Sequence, residues 1–348
     1  MTVIREFWPS TPGKVRRKLE KLCANHPSDF QFGELTRSAG GRPIVWLRVG
    51  HGKLRLFLTG GMHGSEPAGP AGLLAFVYSL VQGKSLDGGE LATWRDETLE
   101  KQTIVIVPQL NVDGAERFAE QVPDCWWRNR YPYADETAWD EIWHMVDDPL
   151  KTFYGDTFHR TIQLPQDQLQ KWLKEGGVLG MRFNDDGVDL WRDFGEVQFS
   201  PETRAITRLL GEYPPDCAVD IHNDAIPSCV YAPTVNASEE DGRRQVAYAH
   251  EIFAEVQGAG LPCSTAPIRP YGAEPNAYIN FVYDKYRCNF VFFEINNGIE
   301  YPYAKRLWRG TILEGDIGFR PPNQEEVVRT VWLMLHRLVE LGNKRKYR

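Results

Sequence analysis

Thr59-Gly60-Gly61-Met62-His63-Gly64-Ser65-Glu66-Pro67-Ala68-Gly69 carries an imidazole and a carboxylate three residues apart, which is half of a zinc site. A second histidine, His222, ends the apolar run Cys217-Ala218-Val219-Asp220-Ile221. His63, Glu66 and His222 would together supply two nitrogens and a carboxylate, a donor set that leaves a fourth position for water. Neutral imidazole with carboxylate suits a borderline cation acting as a Lewis acid without redox chemistry, so one Zn2+ ion is the expected cofactor. Taken alone, a His-x-x-Glu pair fits equally a loop histidine beside a glutamate that favours a helix start. Cys217 and Cys229 flank His222, but the set is complete without them. His144 and His159 read as surface or packing residues.

The elements that must position these groups are legible as apolar runs. Leu54 to Leu58 reads as a buried strand and Ala71 to Val81 as a packed helix, which places His63 and Glu66 on a strand-to-helix turn. Thr103 to Val107, Cys217 to Ile221 and Asn289 to Phe293 are three further buried strands. These four runs end near His63, Asn111, His222 and Glu294. In a parallel or mostly parallel sheet such ends gather on one edge, where ligands bind. Before them, Pro12 with Val15, Leu19 and Leu22 predicts a helix up to His26-Pro27, and Phe30 to Thr36 and Pro43 to Val49 alternate like strands. Gln82 to Lys101 reads as a polar loop and Asp113-Gly114 as a tight turn. Tyr131 to Asp186 breaks the rhythm, carrying Trp139, Trp143, Phe153, Tyr154, Phe158 and Trp172 but no comparable strand, and reads as an ordered insertion walling a cleft, with a short helix over Leu169 to Lys174. An amphipathic helix over Glu325 to Leu341 closes the chain, and Lys344 to Arg348 reads as a solvated basic end.

The whole chain narrows the function classes. A length of 348 residues allows one large α/β domain. A net charge of -7 without a long Lys/Arg cluster argues against nucleic acid or an anionic membrane as the main partner. No stretch has the length of a membrane span or a signal-peptide core, and the six scattered cysteines look like free thiols, so a cytoplasmic enzyme is expected.

Taken in order, the motifs resemble those of the zinc carboxypeptidases of the carboxypeptidase A type, in the form without a pro-segment. The resemblance extends over most of the chain. Ser38 to Ile44 resembles the family's Gly-Arg-Pro turn, His63 to Glu66 its first ligand pair, and Asn111 to Gly114 its Asn-Pro-Asp-Gly turn with Val112 in place of proline. Gly187 to Phe194 resembles the substrate-carboxylate motif, Asp220-Ile221-His222 the last ligand and Phe292-Phe293-Glu294 the catalytic glutamate. The resemblance implies a single catalytic domain over 1–348, an insertion at about 131–186 and a mostly parallel mixed central sheet flanked by helices. It also implies roles. The metal activates water, Glu294 takes the proton and hands it to the leaving amine, and Arg128 stabilises the charge developing on the carbonyl oxygen. Asp189 would orient His63 from behind. Asp220 is either another such partner or a structural hydrogen-bonder.

Substrate recognition departs from the family. Arg192 stands where the carboxylate-binding arginine is expected, but Trp191 replaces the neighbouring asparagine, offering one donor and much bulk. Tyr271 resembles the tyrosine that closes over substrate, Ile279 lies where the pocket floor is expected and hints at an apolar preference, and Asn223 follows the last ligand where serine is common. Ser65, in the family's arginine position, is similar to murein-peptide amidases and N-acyl amino acid deacylases. The expected function is therefore hydrolysis of a C-terminal peptide bond by metal-activated water. A zinc amidase or deacylase acting on murein peptides or N-acyl amino acids is the alternative. The expected partner is a peptide or small amide.

Overall fold

A computed structural model describes residues 6–8, 11–24, 26, 28–121, 162–175, 179, 181–224, 226–233, 237–271, 274, 276–296 and 319–347. Thr11 caps the first helix, α1 (Pro12–Cys23), through its side chain, with proline at the first turn. Strands β1 (Phe30–Arg37) and β2 (Pro43–Val49) follow as an antiparallel pair. Next come β3 (Leu54–Gly60), α2 (Ala68–Gln82), α3 (Ala92–Lys101), β4 (Gln102–Val107) and α4 (Val112–Gln121). Beyond the insertion's α5 (Gln166–Lys174) lie α6 (Pro201–Glu212), β5 (Cys217–Asp224), β6 (Cys229–Ala232), α7 (Glu239–Gly258), β7 (Ile268–Pro270), α8 (Tyr278–Tyr286), β8 (Asn289–Asn296) and α9 (Gln324–Arg345).

The eight strands form one mixed sheet in the order β1-β2-β4-β3-β5-β8-β6-β7. Its centre, β4-β3-β5-β8, is parallel throughout, so the four apolar runs do end on one edge. Both faces are covered. Leu56, Leu58, Val219, Ile221, Val291 and Phe293 pack toward α1, α2, α7 and α9, whereas Phe57, Ala218, Phe290 and Phe292 pack toward α6, α8 and the segment around Trp191. Burial on both sides is why these strands read as unbroken hydrophobic runs. It also fixes where the polar residues among them point: Asp220 and His222 alternate with Val219 and Ile221, and Glu294 with Phe293, toward the α6/α8 face.

Several expectations are corrected. The polar stretch to Lys101 contains α3, whose buried residues are only Thr98 and Leu99, so no apolar period announces it. Asp113-Gly114 is not a tight turn but the first turn of α4, where the Asn111 side chain accepts from Gly114 N at 2.8 Å. The basic end is not simply solvated: Lys344 and Arg345 belong to α9, and the buried Tyr347 hydroxyl donates to Gln102 Oε1 at 2.6 Å. α7, β6, β7 and α8 lie where no element was expected, although the buried Tyr248, Ile252 and Val256 of α7 have helical spacing. Residues 131–161 of the insertion, His144 and His159 with them, lie outside the described residues. Its last stretch, 181–186, reaches Asp189 through Arg182.

Candidate metal centre

His63 and Glu66 hang on a loop that glycine makes possible. Gly61, at φ +59, turns the chain off β3, and Gly64 donates its N–H to Met181 O at 2.9 Å. Gly64 lies so close to Gly114 that a Cβ there would fall within the backbone of α4. Four residues on, Ala68 N, at the open start of α2, is accepted by Asn223 Oδ1 at 2.6 Å, so the residue after His222 caps the helix after Glu66. Loop and strand are thereby tied one behind each ligand.

The three ligand candidates converge. His63 Nδ1 lies 2.6 Å from Glu66 Oε1 and His222 Nδ1 2.8 Å from Glu66 Oε2. One ligand atom from each of the three lies within 4.8 Å of the others, and all three are largely buried. Each imidazole turns its other nitrogen to a carboxylate: His222 Nε2 to Asp220 Oδ2 at 2.6 Å and His63 Nε2 to Asp189 Oδ1 at 3.4 Å. With a cation bound, carboxylates behind both rings would keep the proton on Nε2 and leave the Nδ1 lone pairs to the metal. Nitrogen lone pairs facing carboxylate oxygens at such distances call for a cation between them, so this donor set fits zinc. Were both rings protonated instead, burial would push the Glu66 carboxyl up but the positive charges of His63 and His222 would outweigh it and hold it at about 2.

The outer carboxylates are themselves held. Asp220 Oδ1 accepts from Thr59 Oγ at 2.9 Å and Ile221 N at 3.1 Å, so this residue both orients His222 and braces β3 against β5. Fully buried Asp189 accepts from Arg182 Nε and Arg192 Nη1, each at 2.8 Å, and from Trp191 N at 3.2 Å. Burial would raise the Asp189 carboxyl, but the two guanidinium groups and His63 hold it well below the ordinary range.

Arg182 was not anticipated from the sequence. It reaches Asp189 because Asn184-Asp185-Asp186-Gly187 folds back, with Gly187 at φ +71, Asn184 N donating to Val188 O at 3.0 Å and Phe183 bridging to Asp189. The Asp-Gly step is the signal that could have revealed it. Arg128, expected to act on the carbonyl, lies outside the described residues.

The remaining candidates gather around the same edge. Glu294 pairs in register with His222 across β5 and β8 and is largely buried. Trp191 is buried edge-on to His222 at 5.7 Å and to Tyr271 at 5.4 Å between ring centroids, and its indole nitrogen has no hydrogen-bond partner among the described residues. Arg192 pairs with Asp189 on one side and, through Nε, with Glu274 Oε2 at 3.1 Å on the other. Ile279 is fully buried among the aromatic residues of this face. Among the described residues no helix is long and apolar enough to cross a membrane.

Comparison with known proteins bears on this arrangement. Residues 15–292 match the family model described as zinc carboxypeptidase. The chain is 31% identical over 132 residues to a protein named probable carboxypeptidase 2 from Trichophyton verrucosum, covering 32% of this chain and 23% of that one. A carboxypeptidase 2 from Trichophyton tonsurans is 39% identical over 62 residues, covering 18% of this chain and 10% of the other. The chain thus spans about a quarter or less of the length of these curated relatives. Among solved structures, a metallo-carboxypeptidase from Burkholderia cenocepacia superposes with a TM-score of 0.60 at 14% identity, over 97% of this chain and 70% of that one. Bovine thrombin-activatable fibrinolysis inhibitor in complex with tick carboxypeptidase inhibitor gives 0.57 at 14% identity, over 96% of this chain and 97% of the other. At these identities the structures share the fold.

Proposed function

The chain belongs to the zinc carboxypeptidase family, and on that premise we propose that it hydrolyses the C-terminal peptide bond of a peptide substrate with one zinc ion. The observation that carries the reading is the convergence of His63 Nδ1 and His222 Nδ1 on the two oxygens of Glu66, each ring backed by its own aspartate. Bound by these three residues, zinc supplies Lewis-acid activation of water and of the scissile carbonyl.

The chain's own groups do the rest. Glu294, facing the same side of the sheet as His222, takes the proton of the attacking water and delivers it to the leaving amine. Arg128 is the cation the family resemblance assigns to the carbonyl oxygen. Arg182, sharing Asp189 with His63, is the described cation placed to serve the same developing charge. Asp189 and Asp220 keep the two imidazoles aimed inward. Trp191, Arg192 and Tyr271 line the place of the leaving residue, with the indole as a wall and a donor. We place the enzyme in the cytoplasm, which the free thiols of the buried Cys23, Cys217 and Cys288 support.

A second reading, an amidase or deacylase with the same machinery, is favoured by one feature: Trp191 replaces a carboxylate-binding amide. A peptide library in free-acid and C-terminally amidated forms, incubated with zinc-loaded protein and with a chelated control and followed by mass, separates the two. Stepwise loss from free carboxyl ends, abolished by the chelator, is the expected result. Untrimmed peptides, with release of an acyl or murein-type amide instead, would replace the carboxypeptidase reading by the amidase.

A further inference from the structure

Arg192, the guanidinium expected to receive the substrate's terminal carboxylate, already carries an internal one. Its Nε lies 3.1 Å from Glu274 Oε2 and its Nη2 3.4 Å from Glu274 Oε1, while Nη1 is committed to Asp189 at 2.8 Å. Burial and the charge of the same carboxylate raise the Tyr271 hydroxyl. Arg192, the cation expected to hold the leaving residue, therefore holds Glu274 instead. Its backbone is pinned, since Glu274 O accepts from Ala277 N at 3.0 Å and Asn280 Nδ2 at 2.7 Å. Its side chain is 39% exposed, although the Oε2 atom that faces Arg192 is buried.

We propose that Glu274 is a specificity-determining residue that selects substrates whose leaving residue carries an ammonium or guanidinium group beside its carboxylate. The inference rests on the carboxypeptidase reading of this site and names its substrate class. A ligand bringing only a carboxylate takes Arg192 from Glu274 and strands a partly buried anion, a costly exchange. A ligand bringing both charges exchanges both: its carboxylate replaces Glu274 on Arg192, and its cation takes the released Glu274. Ile279, the residue behind the expected apolar preference, is fully buried and offers no partner for charge.

The test uses zinc-loaded wild-type protein, Glu274→Gln and Glu274→Asp with N-acylated dipeptides ending in lysine, norleucine or glutamate. The same proteins are titrated calorimetrically with free lysine and norleucine, which reports selectivity without turnover. Wild type is expected to prefer the lysine peptide to the norleucine peptide by about tenfold in kcat/KM, with glutamate poorest. Glu274→Gln is expected to shrink the lysine preference to about twofold, chiefly through KM, and Glu274→Asp to restore part of it. Free lysine should bind wild type more tightly than norleucine does, a difference lost in Glu274→Gln. Equal use and equal binding of lysine and norleucine by wild type, or a lysine preference unchanged in a folded Glu274→Gln, overturns the proposal. Selective lysine binding without hydrolysis of any peptide would sustain Glu274 and overturn the reaction assigned to the site.

Discussion

Glu294 and His222 are Cα partners on neighbouring parallel strands, and their alternation with Phe293 and Ile221 sends both side chains to one face. This is how a carboxylate distant in sequence comes to stand beside the metal set. The proton-carrying role proposed for it is separable from metal binding, because none of the three convergent donors belongs to it. Glu294→Gln is therefore expected to lower kcat by roughly a thousandfold while zinc content stays that of wild type. Metal analysis and steady-state kinetics on the same preparation check this, and a variant that keeps its full rate would sink the assignment. At the same scale the structure assigns Asp220 two tasks that the sequence left as alternatives, since its two oxygens serve His222 and Thr59 separately.

Loop, helix and strand meet at Gly64. The residue lies against Gly114 at the start of α4, and its N–H is spent on Met181 O, so the loop between His63 and Glu66 is clamped between α4 and the segment leading to Arg182. A methyl group at this position has nowhere to go, because the atoms it meets are backbone. Gly64→Ala is expected to cost about 2–4 kcal/mol of stability and to weaken zinc retention by more than about tenfold. Thermal unfolding and competition with a chelator measure the two effects. Wild-type zinc retention in this variant would mean that the clamp does not position the ligands. The element-scale signal was partly legible: the Pro and Ser/Thr/Asn caps of α1, α6 and α9 stand in the sequence. α3 was not, because a helix that buries Thr98 and Leu99 alone has no apolar stripe.

Across the molecule, the turn before β2, the segment before Asp189 and the start of α6 are joined by the buried Glu202, which accepts from Ala39 N at 2.9 Å and from Asn184 Nδ2 at 3.2–3.3 Å. Burial pushes its carboxyl from 4.5 up to about 7, more than these hydrogen bonds pull it down. A raised carboxyl pKa stabilises the fold fully below the unfolded value and loses that contribution as pH rises through the folded one. The window is thus about pH 4.5 to 7, and the loss on the order of 3 kcal/mol. Comparing wild type with Glu202→Gln by denaturant unfolding across this window, in chelator, isolates the term. The variant is expected to gain on wild type as pH rises, and a constant difference would contradict it.

What the sequence by itself determined is the set of apolar runs: runs buried on both faces of a parallel sheet are visible as such, and His63, His222 and Glu294 stand where they break, although β5 and β8 continue to Asp224 and Asn296. Only the tertiary structure decided what stands behind and beside them. The pairing of Asp189 with His63, the arrival of Arg182 and the capture of Arg192 by Glu274 depend on strand register, a fold-back at Gly187 and the placement of Glu274 ahead of α8. Local periodicity reports which face a residue takes, whereas the partner it meets there is set by segments distant in the chain.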